Sequence, residues 1–243
     1  MIISLSGFAG SGKDTVGSMI QYLSRHDPFM TFENFLANPT ESDWEIKRWA
    51  DKLKQISSII TGIPVEKFED QEFKKTNLGP EWNYIKRVYG EHYDGFVEDW
   101  EDVDTPMTVR EFLQKIGTEA MRNGLHTNTW VNALMAEYKP TRVQWSNGPL
   151  GGYEDGPLPN WIITDTRFMN EVKVINEKRG FLVRVVRAGV GPINNHPSEI
   201  EIADYAGYDY ILHNNGSFKD LQRDVEFMMG YLSYTNPVSI YNV

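Results

Sequence analysis

Residues 7–15 read Gly-Phe-Ala-Gly-Ser-Gly-Lys-Asp-Thr and follow directly on the apolar run Ile2-Ile3-Ser4-Leu5. A buried strand, a glycine-rich turn and a helix, in that order, restrict the chain to a small set of α/β architectures. Gly7, Gly10 and Gly12 let the backbone take positive φ and turn its N–H groups inward around phosphate oxygens. Lys13 reaches terminal phosphates as a point charge, and the following helix adds the positive end of its dipole. Val16, Met19, Ile20 and Leu23 fall at i, i+3, i+4 and i+7, one apolar stripe for packing on a sheet. The spacing predicts a loop that binds a nucleoside triphosphate. One residue departs from the general pattern: Asp14, not Ser or Thr, follows Lys13, and the hydroxyl comes one step later at Thr15. A metal here is then held more through water and carboxylates; an acid complementing the helix dipole is an equal reading of Asp14.

The chain has 243 residues, enough for one large domain or one domain with a lid. Its 24 basic and 34 acidic residues give a net charge of −10, which argues against a nucleic-acid partner but not against a locally basic phosphate site. There are no cysteines, so disulfides, thiolate catalysis and cysteine zinc sites are excluded. No apolar run reaches the roughly 18 residues of a membrane span. A strand beginning at residue 2 leaves no room for a signal peptide, so a cytoplasmic location is expected.

Strands alternate with helices. Strands are expected near 46–50, 161–164, 181–186 and 209–212, and helices through Leu53–Ile60, Val109–Ala120, Trp130–Met135, Val172–Ile175 and Leu221–Leu232. Thr108-x-x-Glu111 and Ser198-x-x-Glu201 read as capping boxes. Residues 27–45 read as an excursion, 64–105 as helices and loops, and 139–160 as a long Gly/Pro-rich loop. The pattern is that of an α/β fold with a mostly parallel sheet.

Ligands of such sheets sit at the carboxyl ends of the strands. Asp165-Thr166-Arg167 follows a buried strand. An acid there holds Mg²⁺ through water, and an arginine clamps a phosphoryl oxygen; the plain alternative is a helix N-cap and a surface arginine. Glu171, one turn on, either orients Arg167, binds a sugar hydroxyl or forms a surface pair. Asn214-Asn215-Gly216 reads as an adenine-reading turn or a turn alone. Arg110 lies in the first turn of its helix, where a cation is disfavoured unless an anion binds. Gly117-Thr118 interrupts that helix and would let a ligand approach the backbone. Trp130 is either a stacking surface for a base or core.

Taken together, Ser-Gly-x-x-x-Ser-Gly-Lys-Asp-Thr (6–15), Ala-Asp-x-Leu-Lys (50–54), Val-Arg-x-Phe-Leu-Gln-x-x-Gly-Thr (109–118), Trp-Val (130–131), Asp-Thr-Arg-Phe-x-Asn-Glu (165–171), His-x-Ser-Glu (196–199) and Asn-Asn-Gly-Ser (214–217) resemble the bacteriophage deoxynucleoside monophosphate kinases of the adenylate-kinase-like P-loop group. The resemblance implies a single domain over 1–243: a P-loop NTPase three-layer core with mobile helical and lid segments. It implies transfer of the ATP γ-phosphoryl to a deoxynucleoside monophosphate (dNMP) with Mg²⁺, in the host cytoplasm, and suggests a homodimer. Gly10, Ser11, Gly12, Lys13, Asp14, Thr15, Arg187 and Asn214 would serve ATP. Lys54, Lys74, Arg110, Gly117, Thr118, Trp130, Asp165, Arg167 and Glu171 would line the acceptor site. Asp14, Thr15 and Asp165 would hold the metal, in part through water. Lys13, Arg110, Asp165 and Arg167 would carry the transfer. Two other readings stand beside this one: another small-molecule P-loop kinase, such as a dephospho-coenzyme A kinase, and a non-enzymatic nucleotide switch.

Overall fold

The computed structural model describes residues 1–25, 27, 29–91, 98–145, 152–192 and 200–235. The chain divides into two compact units, Met1–Ala50 with Val131–Val243, and Asp51–Trp130.

The first unit is built on a five-stranded sheet: β1 (Ile2–Ser6), β2 (Trp44–Lys47), β7 (Asn160–Thr166), β8 (Phe181–Val186) and β9 (Tyr210–His213), in the order β2-β7-β1-β8-β9. Every pairing is parallel. Strands buried on both faces read as continuous apolar runs, which is why Ile2-Ile3-Ser4-Leu5 and Trp161-Ile162-Ile163 are legible as strands from composition alone. Alternate residues then separate by face. Ile3, Leu5, Val183 and Val185 pack with Val16, Met19 and Ile20 of α1 (Lys13–Ser24) and with Leu221, Val225 and Met228 of α7 (Phe218–Thr235). Ile2, Trp161 and Ile163 pack on the other side with Val131 and Leu134 of α5 (Thr129–Met135) and Ile175 of α6 (Met169–Glu177). The result is the three-layer, helix–sheet–helix arrangement of a P-loop fold. The connection after β1 runs toward β2 on one side of the sheet and that after β8 toward β9 on the other, so the two diverge at neighbouring carboxyl ends, where a parallel sheet opens a ligand crevice.

The second unit holds α3 (Asp51–Thr61), three short 3₁₀ turns, the antiparallel pair β3 (Tyr84–Glu91) and β4 (Glu98–Thr105), α4 (Val109–Gln114) and a π-helical continuation, Lys115–Leu125. Thr108 Oγ1 accepts from the Glu111 N–H at 3.2 Å, and the Glu111 carboxylate accepts from the Thr108 N–H at 2.9 Å, so the first capping box forms as its spacing requires. Phe68 and Phe112 are buried, with Trp82 edge-on to Phe112 at 5.1 Å.

Several expectations are corrected. Residues 64–105 contain a β-hairpin. Its second strand is acidic, and Arg87 pairs with Asp102 across the ladder at 3.1 Å, a cross-strand neutralisation that composition alone does not reveal. The 139–160 loop contains the two-stranded pair β5 (Arg142–Trp145) and β6 (Gly152–Asp155). The 27–45 excursion contains α2 (Phe32–Ala37), whose Phe32 and Phe35 enter the core. Gly117-Thr118 does not interrupt its helix; the helix widens to π winding there instead. Ser198 and the His196-x-Ser-Glu segment lie outside the described residues. Glu201 accepts the Met169 N–H at 2.8 Å, at the start of α6.

Candidate functional site

The glycine loop is shaped by contacts a side chain would destroy. Gly10 and Gly12 have φ of 84° and 92°, the left-handed region. A Cβ on Gly12 would stand 2.2 Å from Asn214 Nδ2. That amide donates to the Ser11 carbonyl at 2.9 Å, so Asn214, expected at an adenine edge, braces the phosphate loop from the end of β9. Ser11 itself is buried, and its hydroxyl meets no partner among the described residues; it serves the loop through its backbone.

Lys13 is nearly buried, with Nζ donating to the carbonyls of Gly7 at 2.7 Å and Phe8 at 2.9 Å. Gly12 caps α1 with no side-chain bond to the helix. The N–H groups of the first turn are therefore presented by backbone alone, as an anion site requires. Lysine, glycine turn and helix start converge on one place, and the chemistry they suit is binding of the terminal phosphates of a nucleotide.

Asp14 is exposed. Its Oδ1 accepts from Arg48 Nη2 and from Thr164 Oγ1, each at 2.9 Å. Partial desolvation by the loop pushes its carboxyl up, but the bonds from Arg48 and Thr164 and the charges of Arg48 and Lys13 outweigh it and hold the group below the ordinary range. Thr15 lies on the same first turn, half-buried. Asp165 is differently employed. Its two oxygens accept the backbone N–H groups of Trp49 at 2.8 Å and Ala50 at 3.1 Å. The strand-end acid thus fixes the chain where it leaves β2. Among the described residues no three acids or histidines cluster as a metal cage. Mg²⁺ does not need one, since one or two carboxylates with phosphates and waters suffice, and the ionised, exposed Asp14 beside Thr15 fits that donor set.

Arg167 follows β7 and is half-buried. Glu171 is not the surface residue of a helix-face pair. It is buried, and Oε2 accepts the N–H groups of Arg167 at 2.7 Å and Phe168 at 3.0 Å, closing the amino end of α6. The first of these bonds fixes the backbone at Arg167. Arg187 is exposed just beyond β8.

The remaining candidates belong to the second unit. Arg110 is exposed, with Nη2 3.3 Å from Gln71 Oε1. Lys54 is nearly buried between Glu69 at 2.5 Å and Asp51 at 3.6 Å. Lys74 is half-buried in the 3₁₀ turn Phe73–Lys75. Gly117 is buried; a Cβ there would stand 2.9 Å from Leu53 Cδ2. Its carbonyl accepts the Trp130 indole N–H at 2.9 Å, so the tryptophan ring is held in the interior with its polar atom satisfied. Thr118 is half-buried beside it.

A family model described as deoxynucleotide monophosphate kinase matches residues 69–225. The chain belongs to that family. A deoxynucleotide monophosphate kinase of Escherichia phage RB69 is 21% identical over 257 residues, covering 93% of this chain and 98% of that protein. A protein of Acanthamoeba polyphaga mimivirus, described as a candidate enzyme of the same name, is 28% identical over 125 residues, or 49% of this chain. That match spans 59% of the mimivirus protein. The family is one of phosphotransferases, and nothing in these likenesses favours a coenzyme A precursor or a nucleotide switch. Among the described residues no helix is long and apolar enough to cross a membrane.

Two residues at this kinase-family site escaped the sequence reading. Arg48 sits in an unremarkable Lys-Arg-Trp run, and its partner Asp14 is thirty-four positions away. Arg184 did carry a signal, as the one charge in the otherwise apolar strand Phe181–Val186.

The Asp14–Arg48 bridge has a defined pH signature. The folded pKa lies below the unfolded value near 3.9, so its stabilisation is complete above about pH 5 and vanishes as pH falls through the folded value. Because the pair is exposed, its worth is about 0–1 kcal/mol. Urea denaturation of the protein and of Asp14→Asn is expected to differ by up to that amount at pH 7 and to converge at acid pH, once Asp14 is protonated in the folded protein. An equal difference at both pH values would refute the assignment.

Proposed function

We propose that this protein transfers the γ-phosphoryl group of ATP to the 5′-phosphate of a deoxynucleoside monophosphate, giving the diphosphate and ADP. The observation that carries this reading is the glycine loop with Lys13 and the open amino end of α1, in a chain of the deoxynucleotide monophosphate kinase family.

Phosphoryl transfer asks for two charged phosphates to be aligned and neutralised, and needs no covalent intermediate. Lys13 and the first-turn N–H groups of α1 would bind the β- and γ-phosphates, with Asn214 keeping the loop in shape. Asp14 and Thr15 would hold Mg²⁺, largely through water, with Asp165 acting chiefly on the backbone at Trp49 and Ala50. Mg²⁺ supplies charge neutralisation of the phosphates when bound. Arg167 would take the acceptor phosphate, and Arg110 and Lys54 of the second unit are proposed as further acceptor contacts. Exclusion of water protects ATP from hydrolysis.

The direct test is an ADP-release assay over the four dNMPs and their ribose counterparts. Arg110→Ala is expected to raise the KM for dNMP by about 10–100-fold, the worth of a charged hydrogen bond, with the KM for ATP little changed. Normal dNMP kinetics in that variant would remove Arg110 from the acceptor site. No turnover of any dNMP by the unaltered protein would overturn the function itself.

A further inference from the structure

Asparagine followed by glycine is a chemically labile pair. The amide nitrogen of the second residue can reach the side-chain carbonyl carbon of the first, and glycine has no Cβ to obstruct the closure. The chain has three such pairs, at 123–124, 147–148 and 215–216. The second lies outside the described residues. The other two are both exposed, and the fold treats them oppositely. Gly124 is inside the π-helical stretch Lys115–Leu125, where the winding takes up the amide N–H and holds the backbone. Asn215-Gly216 lies in the turn between β9 and α7. Neither of its backbone N–H groups donates a hydrogen bond among the described residues.

The Asn215 side chain is set for the same reaction. Its Oδ1 accepts the Ala188 N–H at 2.7 Å, a bond that draws electron density away from Cγ. Its Nδ2 has no acceptor among the described residues, so nothing retains it as a leaving group. The chain on either side is fixed. Asn214 donates its N–H to the Val186 carbonyl at 2.8 Å and Nδ2 to the Ser11 carbonyl at 2.9 Å. Ser217 and Asp220 cap α7 through bonds of 3.0 and 3.3 Å. The turn therefore ties the exits of β8 and β9 to the phosphate loop, through Ala188 and through Ser11.

We propose that Asn215 is a site of spontaneous deamidation, and that its conversion slackens the phosphate loop. The Gly216 nitrogen attacks Asn215 Cγ. The N–Cγ bond forms, the Cγ–Nδ2 bond breaks, and Nδ2 leaves as ammonia with the proton that the Gly216 nitrogen gives up. Water then opens the cyclic imide at either carbonyl carbon, leaving aspartate or isoaspartate; no oxidant or reductant takes part. Aspartate adds a negative charge next to the residue that braces the loop. Isoaspartate also routes the main chain through the former side chain, lengthened by a methylene, and takes the acceptor from Ala188. Both changes act beside Asn214, whose amide holds Ser11. The consequence for nucleotide binding rests on the kinase reading; the chemistry at Asn215 does not.

The test uses the full chain, incubated at mildly alkaline pH without denaturant and mapped by peptide mass spectrometry, with isoaspartate separated chromatographically. The peptide carrying Asn215 is expected to lose its amide well before the one carrying Asn123, and the two rates are expected to converge in urea. An intact Asn215, or Asn123 converting as fast in the folded protein, overturns the site. The converted protein is expected to bind ATP about 2–10-fold more weakly in calorimetric titration, the worth of one hydrogen bond. Asn215→Gln, whose longer side chain closes a ring far more slowly, goes through the same incubation and is expected to keep its starting ATP affinity. That comparison also accounts for any change at Asn147. Equal loss in Asn215→Gln, or no loss on conversion of the unaltered protein, overturns the link to the phosphate loop. Should the fresh protein bind ATP and transfer nothing to any dNMP, the kinase reading fails and the labile turn stands.

Discussion

Lys13→Ala is expected to lower kcat for dNMP phosphorylation by about 10²–10³-fold, the usual loss when one preorganised donor to a developing charge is removed. The argument is geometric. Lys13 starts α1, is nearly buried, and has its ammonium held by two loop carbonyls at 2.7 and 2.9 Å. Those carbonyls keep a positive charge at the mouth of the loop before any phosphate arrives, so little reorganisation remains at the moment of transfer. In the transition state charge spreads over the transferring oxygens, and a cation in a partly dry site is worth far more there than in water. Steady-state kinetics check the prediction, with circular dichroism to show that the fold persists. A loss of less than about ten-fold would mean that the ammonium does not face the transferring group.

Gly7→Ala is expected to damage the loop more than Gly10→Ala, although both glycines have positive φ. A Cβ on Gly7 would lie 2.4 Å from the Val185 carbonyl oxygen, a backbone atom of β8, which is paired on both sides in the sheet. That oxygen cannot retreat without breaking the parallel ladder, so the loop must lift. Overpacking of this kind costs about 1–3 kcal/mol, and the KM for ATP should rise with the fall in stability. A Cβ on Gly10 meets nothing within 4 Å. Its substitution carries only the left-handed backbone cost of about 1–2 kcal/mol. Thermal denaturation and ATP titration of the two variants decide it. Equal effects would show that backbone conformation alone, not the approach of β8, demands glycine at position 7.

Much of the site was legible because its pattern is local. The strand, loop and helix of residues 2–24 announce themselves through an apolar run, three glycines and a stripe at helical spacing. The Thr108–Glu111 capping box needs only four residues and formed as its spacing demands. The strand pair at 84–105 was hidden because neither Tyr84–Glu91 nor Glu98–Thr105 alternates apolar and polar residues with period two. For Glu171 the sequence leaves three roles open: orienting Arg167, binding a sugar hydroxyl or pairing at the surface. Burial among backbone donors decided its role. The bond from Met169 to Glu201 is not legible in the sequence, since the two residues lie thirty-two positions apart.

From the sequence alone follow the parallel α/β class, the phosphate loop, the lysine that serves it and the resemblance to the kinase family. Each depends on residues within a few positions of one another or on an ordered set of short motifs. Only the tertiary structure decided which charges meet. Asp14 faces Arg48 and Thr164, Asp165 holds the backbone at Trp49 and Ala50, Asn214 braces Ser11, and Arg184 joins Arg167 at one cleft. The physical reason is sheet register. Placing β1 between β7 and β8 brings residues more than 150 positions apart to the same strand ends, and no local pattern records which of them will be neighbours.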